Sequence, residues 1–352
     1  MPALKSDKLG LMIDTGGCPN RCVHCSLAGK PTRQMSYPEM RWIVEQFRTL
    51  QSNGRPRFNT IEVGLWCMEP DFREDYRSLW DLERELSDVD RKHGGLLSIW
   101  RILRDDTYLS WVKEKGGTCC QITLFGAGET HDRFMGRGAF DECIEVMRRL
   151  VAAEVAVQWL MMFTKAIVPD LEALLGMAVD LRLVEESARL GCPWGPTLAD
   201  VDPVGRGWHL EHLRPSVDNL DRLPESLRDR DRTGYGERTE AECVRLFLGG
   251  EAVSEAYETL WLQVDASFNV FPQFGDLAPW YCLGNLRHDG AERIMEAYLA
   301  DQTPGQHTRF VIGPRALAEQ YGDPKGTLLY TPTHLLHRWI GQHCRAVSQA
   351  LR

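Results

Sequence analysis

Three cysteines stand within eight residues near the start of the chain, at Cys18, Cys22 and Cys25. Three thiolates on one short loop can hold three irons of a cubane iron–sulfur cluster and leave the fourth iron open for chemistry. Zinc is the alternative occupant, but structural zinc sites are closed by four ligands. The only further candidate nearby is His24, between two of the cysteines. A chance grouping of reduced cysteines is the third interpretation, and the spacing favours the cluster.

The composition of the chain limits the partners and the cellular compartment expected for this chemistry. The chain has 352 residues with 41 basic and 50 acidic side chains, for a net charge of −9, which disfavours phosphate backbones and anionic membranes as partners. The segment MPALKSDKLG lacks an apolar signal core, and the longest apolar runs fall short of the roughly 20 residues that cross a bilayer. We therefore expect a cytoplasmic protein with reduced thiols, and neither a nucleic-acid nor a membrane partner.

The elements that must position the cysteines follow from the hydrophobic pattern. Short apolar runs alternate with longer amphipathic segments as far as about residue 190, which is typical of βα units and a parallel sheet. The predicted strands are 9–14, 60–65, 96–102, 120–124, 155–163 and 181–187, and the predicted helices include 38–51 and 141–153. Six such units predict an α/β fold with a partial (β/α)6 barrel. Functional residues then lie on loops that follow the carboxyl ends of the strands.

The chain is predicted to have three parts. Residues 1–205 form the barrel, and residues 206–245, rich in proline, glycine and charge, form a connecting segment. Residues 246–352 form a small α+β extension. Its predicted elements are a hairpin of strands 260–264 and 269–271, with a tight turn at 265–268, and helices at 290–300 and 333–350.

Three segments together resemble the radical S-adenosylmethionine (AdoMet) superfamily. Residues 11–25 carry the CxxxCxxC spacing after the first predicted strand. Residues 64–70, GLWCMEP, are similar to the GGEP segment of that family, although Cys67 and Met68 stand where two glycines are usual. Residues 122–140 resemble a stretch typical of members with a SPASM or twitch extension. The chain is therefore identified as a member of this superfamily, with a twitch-like C-terminal region.

The resemblance implies two cofactors. One 4Fe-4S cluster would be held by Cys18, Cys22 and Cys25, and AdoMet would chelate the open iron. An electron from an external donor, such as flavodoxin or ferredoxin, would then cleave AdoMet to a 5'-deoxyadenosyl radical.

The resemblance also assigns residues to AdoMet. They are His24 against the adenine, Glu69 at the ammonium group, Thr123 near the ribose or carboxylate, and Arg137 at the carboxylate. The pair His131 and Asp132 is expected to be structural, with Asp132 bracing the helix that follows.

The C-terminal region resembles SPASM and twitch domains but departs from their ligand pattern. Gln273 replaces the cysteine that usually follows proline, Phe268 stands near the usual glycine, and only Cys282 remains close to an expected ligand position. We therefore expect no complete auxiliary cluster. Cys282 is either a small packing residue or the thiol that returns a hydrogen atom to the substrate radical, and Cys67 is the next candidate for that role.

The implied function is abstraction of hydrogen from a C–H bond of a small-molecule natural-product intermediate, of sugar, aminoglycoside or nucleoside type. Without an auxiliary cluster, a redox-neutral outcome such as epimerisation, elimination or decarboxylation is favoured. The enzymatic alternatives are an oxidative SPASM or twitch dehydrogenase and a peptide-modifying maturase. The alternative outside enzymes is an iron–sulfur redox sensor or scaffold. A tRNA-modifying enzyme is disfavoured by the acidic balance.

Overall fold

The computed structural model describes residues 6–16, 22–25, 33–65, 70–90, 97–192, 194–228, 238–250, 259–272 and 277–350. Their strands are β1 (Lys8–Ile13), β2 (Gln51–Ser52), β3 (Arg55–Pro56), β4 (Thr60–Gly64), β5 (Cys119–Leu124), β6 (Ala156–Met162), β7 (Thr197–Ala199), β8 (Arg238–Thr239), β9 (Leu260–Val264), β10 (Asn269–Pro272), β11 (Gly284–Asn285) and β12 (Leu329–Tyr330). The predicted mixed α/β class is confirmed.

The helices lie between and after these strands. They are α1 (Tyr37–Arg48), α2 (Tyr76–Leu86), α3 (Ile99–Arg104), α4 (Tyr108–Glu114), α5 (Glu129–Met135), α6 (Ala139–Ala152), α7 (Leu171–Asp180), α8 (Leu183–Arg189), α9 (Val217–Leu220), α10 (Glu240–Leu248), α11 (Leu286–Leu299), α12 (Pro304–His307), α13 (Gly313–Tyr321) and α14 (Pro332–Ala350). Short 3-10 turns cover Pro70–Phe72, Val168–Asp170, Gly207–Leu213, Glu225–Leu227 and Pro279–Tyr281, and a π turn covers Thr308–Ile312. Across the described ranges, no helix has both the length and the apolar composition needed to cross a bilayer.

The larger sheet has five strands in the order β11-β10-β9-β1-β4. β1 is parallel to both of its neighbours, so that Leu11 lies opposite Val63 on one side and Leu262 on the other. On the other face of β1, Gly10 allows Trp261 to approach, because a Cβ at this position would lie 2.2 Å from the indole ring. The carboxyl end of β1, where the cysteines follow, is therefore held between two parallel strands.

The smaller sheet has three parallel strands in the order β5-β6-β7. One face of this sheet is buried, with Ile122, Leu124, Trp159 and Met161 almost fully inaccessible, while the alternate residues of β5 are half-buried. The described strands thus form these two main sheets and two small two-stranded sheets, β2–β3 and β8–β12, rather than one closed barrel. The six-unit partial barrel stays a prediction.

One predicted strand, 96–102, is wrong where the structure describes it. Residues Ile99–Arg104 form helix α3. The side chain of Ser98 accepts a hydrogen bond from the amide of Arg101 at 3.4 Å and so caps the helix. A short apolar run of this length does not by itself distinguish a strand from a buried helical turn.

The predicted strand 181–187 is also wrong, because Leu183–Arg189 forms helix α8. Its buried residues, Leu183 and Ser187, are four positions apart and face the same way on a helix. The helix begins after Arg182, whose φ of 57° breaks the preceding α7.

The C-terminal hairpin forms as predicted and joins the N-terminal strand. β9 and β10 are antiparallel, and the Asp265 carboxylate accepts bonds from the amides of Ser267 and Asn269, at 2.8 and 2.9 Å. Phe268, near the family's usual glycine, has a φ of 69°, so the backbone takes the left-handed conformation without a glycine.

Two main hydrophobic clusters form the core of the described residues. The cluster around the five-stranded sheet extends from Leu9 to Cys344, so the N-terminal strand and the last helix share it. The other surrounds the three-stranded sheet. The predicted divisions at residues 205 and 245 stay a prediction.

Candidate functional site

The three cysteines follow β1 and precede α1 in the sequence, and we call residues 16–34 the cysteine loop. Its base is closed by the Met35 amide, which donates to the carbonyl of Thr15 at 2.9 Å. Gly16 has a φ of +79°, and a Cβ there would stand 1.9 Å from the carbonyl oxygen of Arg33. The chain therefore leaves β1 through a turn that only glycine fits.

Cys22 and Cys25 are both half-buried, and neither forms a disulfide. They lie on one tight turn, in which the Cys25 amide donates to the Cys22 carbonyl at 3.3 Å. Cys18 lies outside the described residues, within which no group of three or more side chains is placed to hold a metal ion. Two thiols on a single turn are soft donors that fit two of the three predicted cluster ligands.

The loop rests on an aromatic stack that follows β5. The ring of His24 is 4.4 Å from that of Phe125, and Phe125 stacks on Phe134 at 4.5 Å. The Val23 amide donates to the Phe134 carbonyl at 3.0 Å. Burial, with a smaller contribution from His131, lowers the pKa of His24 to about 4, so its imidazole is neutral near pH 7. The predicted contact of His24 with adenine stays a prediction.

The next pair along the chain is structural, as predicted. His131 is fully buried, and its Nδ1 accepts a hydrogen bond from the Phe125 amide at 3.3 Å. The Asp132 carboxylate accepts bonds from the amides of Gly138 and Phe140, at 2.7 and 3.0 Å, at the start of α6. The pair thus fixes the loop that presents Phe125 to the cysteine loop.

The structure describes two of the three remaining predicted AdoMet residues, Thr123 and Arg137. Thr123 lies in β5, half-buried and two residues before Phe125, so both side chains leave the chain on the same side. Arg137 is exposed in the turn between α5 and α6, and no described contact joins it to the cysteine loop. Glu69 and Cys67 lie outside the described residues. These assignments stay predictions.

Cys282 lies at the outer edge of the five-stranded sheet, before β11. Its Sγ is half-buried and lies 3.8 Å from the Gly284 carbonyl, and burial raises the pKa of the thiol. β10 and β9 separate β11 from β1, which at about 5 Å per strand spacing is roughly 14 Å. The thiol keeps its proton near pH 7, which a hydrogen-atom donor requires.

The structure adds a polar group that the sequence analysis missed. Asp200 follows β7 directly and is almost fully buried, and its carboxylate binds His334 Nδ1 at 2.6 Å and pairs with Arg214. Burial opposes protonation of His334, but the hydrogen bond and charge of Asp200, together with Asp202, raise its pKa. The same loop reaches the cysteine loop, because the Arg206 amide donates to the Cys25 carbonyl at 2.9 Å.

In the sequence, the sign of this group is the position of Asp200 directly after strand β7. β7 has only three residues, too short for the pattern analysis to find, and the partner His334 is more than a hundred residues away in sequence. Only the fold brings the two together.

Comparison with solved structures identifies the fold. The chain is similar to anSMEcpe with bound AdoMet, with a TM-score of 0.55 and 12% identity, covering 95% of this chain and 96% of that chain. A structure of anSMEcpe with AdoMet and the Cp18Cys peptide matches with a TM-score of 0.52 and 12% identity, over 98% and 99% of the two chains. The chain shares the fold of these AdoMet-bound structures.

This shared fold agrees with the resemblance to the radical AdoMet superfamily noted in the sequence. A weaker likeness, to SuiB of Streptococcus suis bound to its precursor peptide SuiA, has a TM-score of 0.48 and 15% identity over 76% of this chain and 60% of that chain. No protein family and no curated protein matches the sequence.

Proposed function

We propose that this protein is a radical SAM enzyme that cleaves AdoMet reductively and abstracts hydrogen from a C–H bond of its substrate. One observation carries the proposal. Cysteines in CxxxCxxC spacing follow β1, a strand paired on both of its sides, in a fold shared with AdoMet-bound anSMEcpe.

The described residues fit this role. Cys22 and Cys25, with Cys18, would hold the cluster, which when bound supplies the electron that breaks a carbon–sulfur bond of AdoMet. The His24 ring lies against the buried ring of Phe125, which gives this part of the loop an apolar neighbour.

For the substrate we propose a small-molecule natural-product intermediate of sugar, aminoglycoside or nucleoside type, with a redox-neutral outcome. The support is the loss of the expected auxiliary ligand at Gln273, which leaves no evident acceptor for a second electron. A peptide substrate is the second candidate, because one anSMEcpe structure of the same fold holds a peptide.

The test is reductive cleavage of AdoMet by protein reconstituted anaerobically with iron and sulfide. The wild type should form 5'-deoxyadenosine with about four irons per chain, whereas about eight would indicate an auxiliary cluster and favour the oxidative alternative. Alanine at Cys18, Cys22 or Cys25 should abolish both the cluster chromophore and cleavage. Cys192→Ala is the matched control, since Cys192 is also half-buried but lies far from the loop in sequence. A wild-type protein that binds the cluster without cleaving AdoMet would be a sensor or scaffold.

Cys282 supplies the second test. In an assay with a substrate that is turned over, Cys282→Ala should still form 5'-deoxyadenosine but give little of the normal product. In deuterated water, the wild-type product should carry one solvent-derived deuterium, because a thiol proton exchanges with solvent. Full product yield from the variant, or no deuterium in the wild-type product, would make Cys282 a packing residue and favour elimination or oxidation.

A further inference from the structure

The Arg73 side chain joins the two ends of the cysteine loop. It is 6% exposed, and its Nη1 donates to the carbonyls of Thr15 and Met35, at 3.2 and 2.8 Å. Thr15 is the last residue before the loop and Met35 the first after it. One guanidinium nitrogen therefore reinforces the same closure that the Met35 amide makes.

The orientation of this guanidinium is fixed from its other side. Its Nε and Nη2 donate to the two carboxylate oxygens of Asp75, each at 2.8 Å. The bond from Arg73 is also the main cause that lowers the pKa of Asp75, so the pair stays ionised near pH 7. A bidentate arginine–carboxylate pair of this kind fixes the orientation of the guanidinium as well as its distance from the carboxylate.

The backbone around Arg73 is also held in place. Asp71 is fully buried, and its Oδ2 accepts bonds from the Ser98 amide at 2.8 Å and from the Tyr108 hydroxyl. Arg101 donates to the carbonyls of Asp71 and Arg73, at 2.8 and 3.0 Å. The segment is thus tied to α3 and α4, and it begins immediately after Glu69 in the sequence.

We propose that Arg73 is a positioning residue that couples the cysteine loop to the segment following Glu69, and thereby sets the geometry in which AdoMet binds. This inference rests on the proposed function. Arginine is required because the site needs donors for two carbonyls and both carboxylate oxygens in one plane. The single ammonium of a lysine does not span them.

The experiment compares Arg73→Lys with Arg149→Lys. Arg149 is a matched control, because its Nη1 also donates to two carbonyls, of Ile102 and Leu103, at 3.1 and 3.4 Å, and its Nε donates to Glu145 at 2.9 Å, away from the cysteine loop. After reconstitution, Arg73→Lys should keep about four irons per chain but bind AdoMet about tenfold more weakly, with a smaller change in the cluster's EPR spectrum on AdoMet addition. Arg149→Lys should match the wild type in all three measurements.

A second readout uses the protein without cluster or AdoMet. Hydrogen exchange at the Met35 amide should be at least about tenfold faster in Arg73→Lys than in wild type or Arg149→Lys, because the closure of the loop base is weakened. If the wild type fails to bind AdoMet, the proposed function fails, and exchange at Met35 still tests the closure by Arg73.

The two measurements distinguish an Arg73 that couples the loop base to AdoMet binding from an Arg73 that only stabilises the loop base. Faster exchange with weaker AdoMet binding supports the proposal. Faster exchange with unchanged AdoMet affinity, or unchanged exchange, overturns it. Should Arg73→Lys not fold, Asp75→Asn provides the same test more gently, since its side chain is 43% exposed and the substitution removes only the carboxylate charge that orients Arg73.

Discussion

The cysteine loop is held on its two sides by different forces. Towards β1 and β4, the buried guanidinium of Arg73 donates to main-chain carbonyls at both ends of the loop. Towards β5, His24 lies against the Phe125 ring, which stacks on Phe134. Hydrogen bonds are directional, whereas apolar packing is not. The polar side should therefore govern how AdoMet binds, and the aromatic side how stable the fold is.

Phe125→Ala tests the aromatic side and has the largest expected effect on stability. Phe125 is fully buried, so its loss should lower the free energy of unfolding by about 3 to 5 kcal/mol. Urea denaturation of the apoprotein measures this. Phe72→Ala is the control, because Phe72 is only half-buried and should cost less. A variant with wild-type stability but weakened AdoMet binding would reverse the division of roles.

Glu69→Gln tests the polar side. The cluster should assemble normally, while AdoMet binding weakens by about 1.5 to 3 kcal/mol, the range for a hydrogen bond to a charged group. Calorimetric titration of the reconstituted protein measures the affinity, and urea denaturation should show unchanged stability. Unchanged affinity would mean that the resemblance to the GGEP segment has misplaced the residue.

His131 gives an effect that is seen only as a dependence on pH. Burial lowers the pKa of His131 to about 4 from 6.5, so the unfolded chain binds more protons between these values. Its contribution to stability is present above pH 6.5 and is lost as the pH falls towards 4. From about pH 7 to about pH 5, the loss should be about 2 kcal/mol.

The control for this prediction is His131→Asn. An asparagine amide oxygen can accept the hydrogen bond from the Phe125 amide that Nδ1 now accepts, but it does not titrate. Urea denaturation at the two pH values should give a smaller difference for the variant. Equal differences in both proteins would assign the pH dependence to other groups.

Much of this architecture could be predicted from the sequence. The apolar runs that became β1, β4, β5 and β6 alternate with helices at the expected places, and the hairpin of β9 and β10 has its own turn residues. These elements are specified locally. The turn at Asp265 closes through its own side chain, so its neighbours in sequence suffice to define it.

The rest depends on contacts between distant residues. Residues 99–102, predicted as part of a strand, lie in a helix that is held by bonds from Arg101 to the Asp71 and Arg73 carbonyls, which no local pattern shows. In the sequence, nothing distinguishes Arg73 from other charged residues. Its proposed positioning role follows only from the Thr15 and Met35 carbonyls that the fold places beside it. The Asp200–His334 pair was missed for the same reason.

The position of β1 between β4 and β9 also has a consequence during synthesis. The Asp14 amide, at the entrance to the cysteine loop, donates to the carbonyl of Val264, about 250 residues later in the chain. At roughly 5 to 20 residues per second, a ribosome needs tens of seconds to make that interval. Until then, one flank of the cysteine loop has no neighbouring strand. The sheet around the strand that leads into the cysteine loop is therefore completed only late in translation.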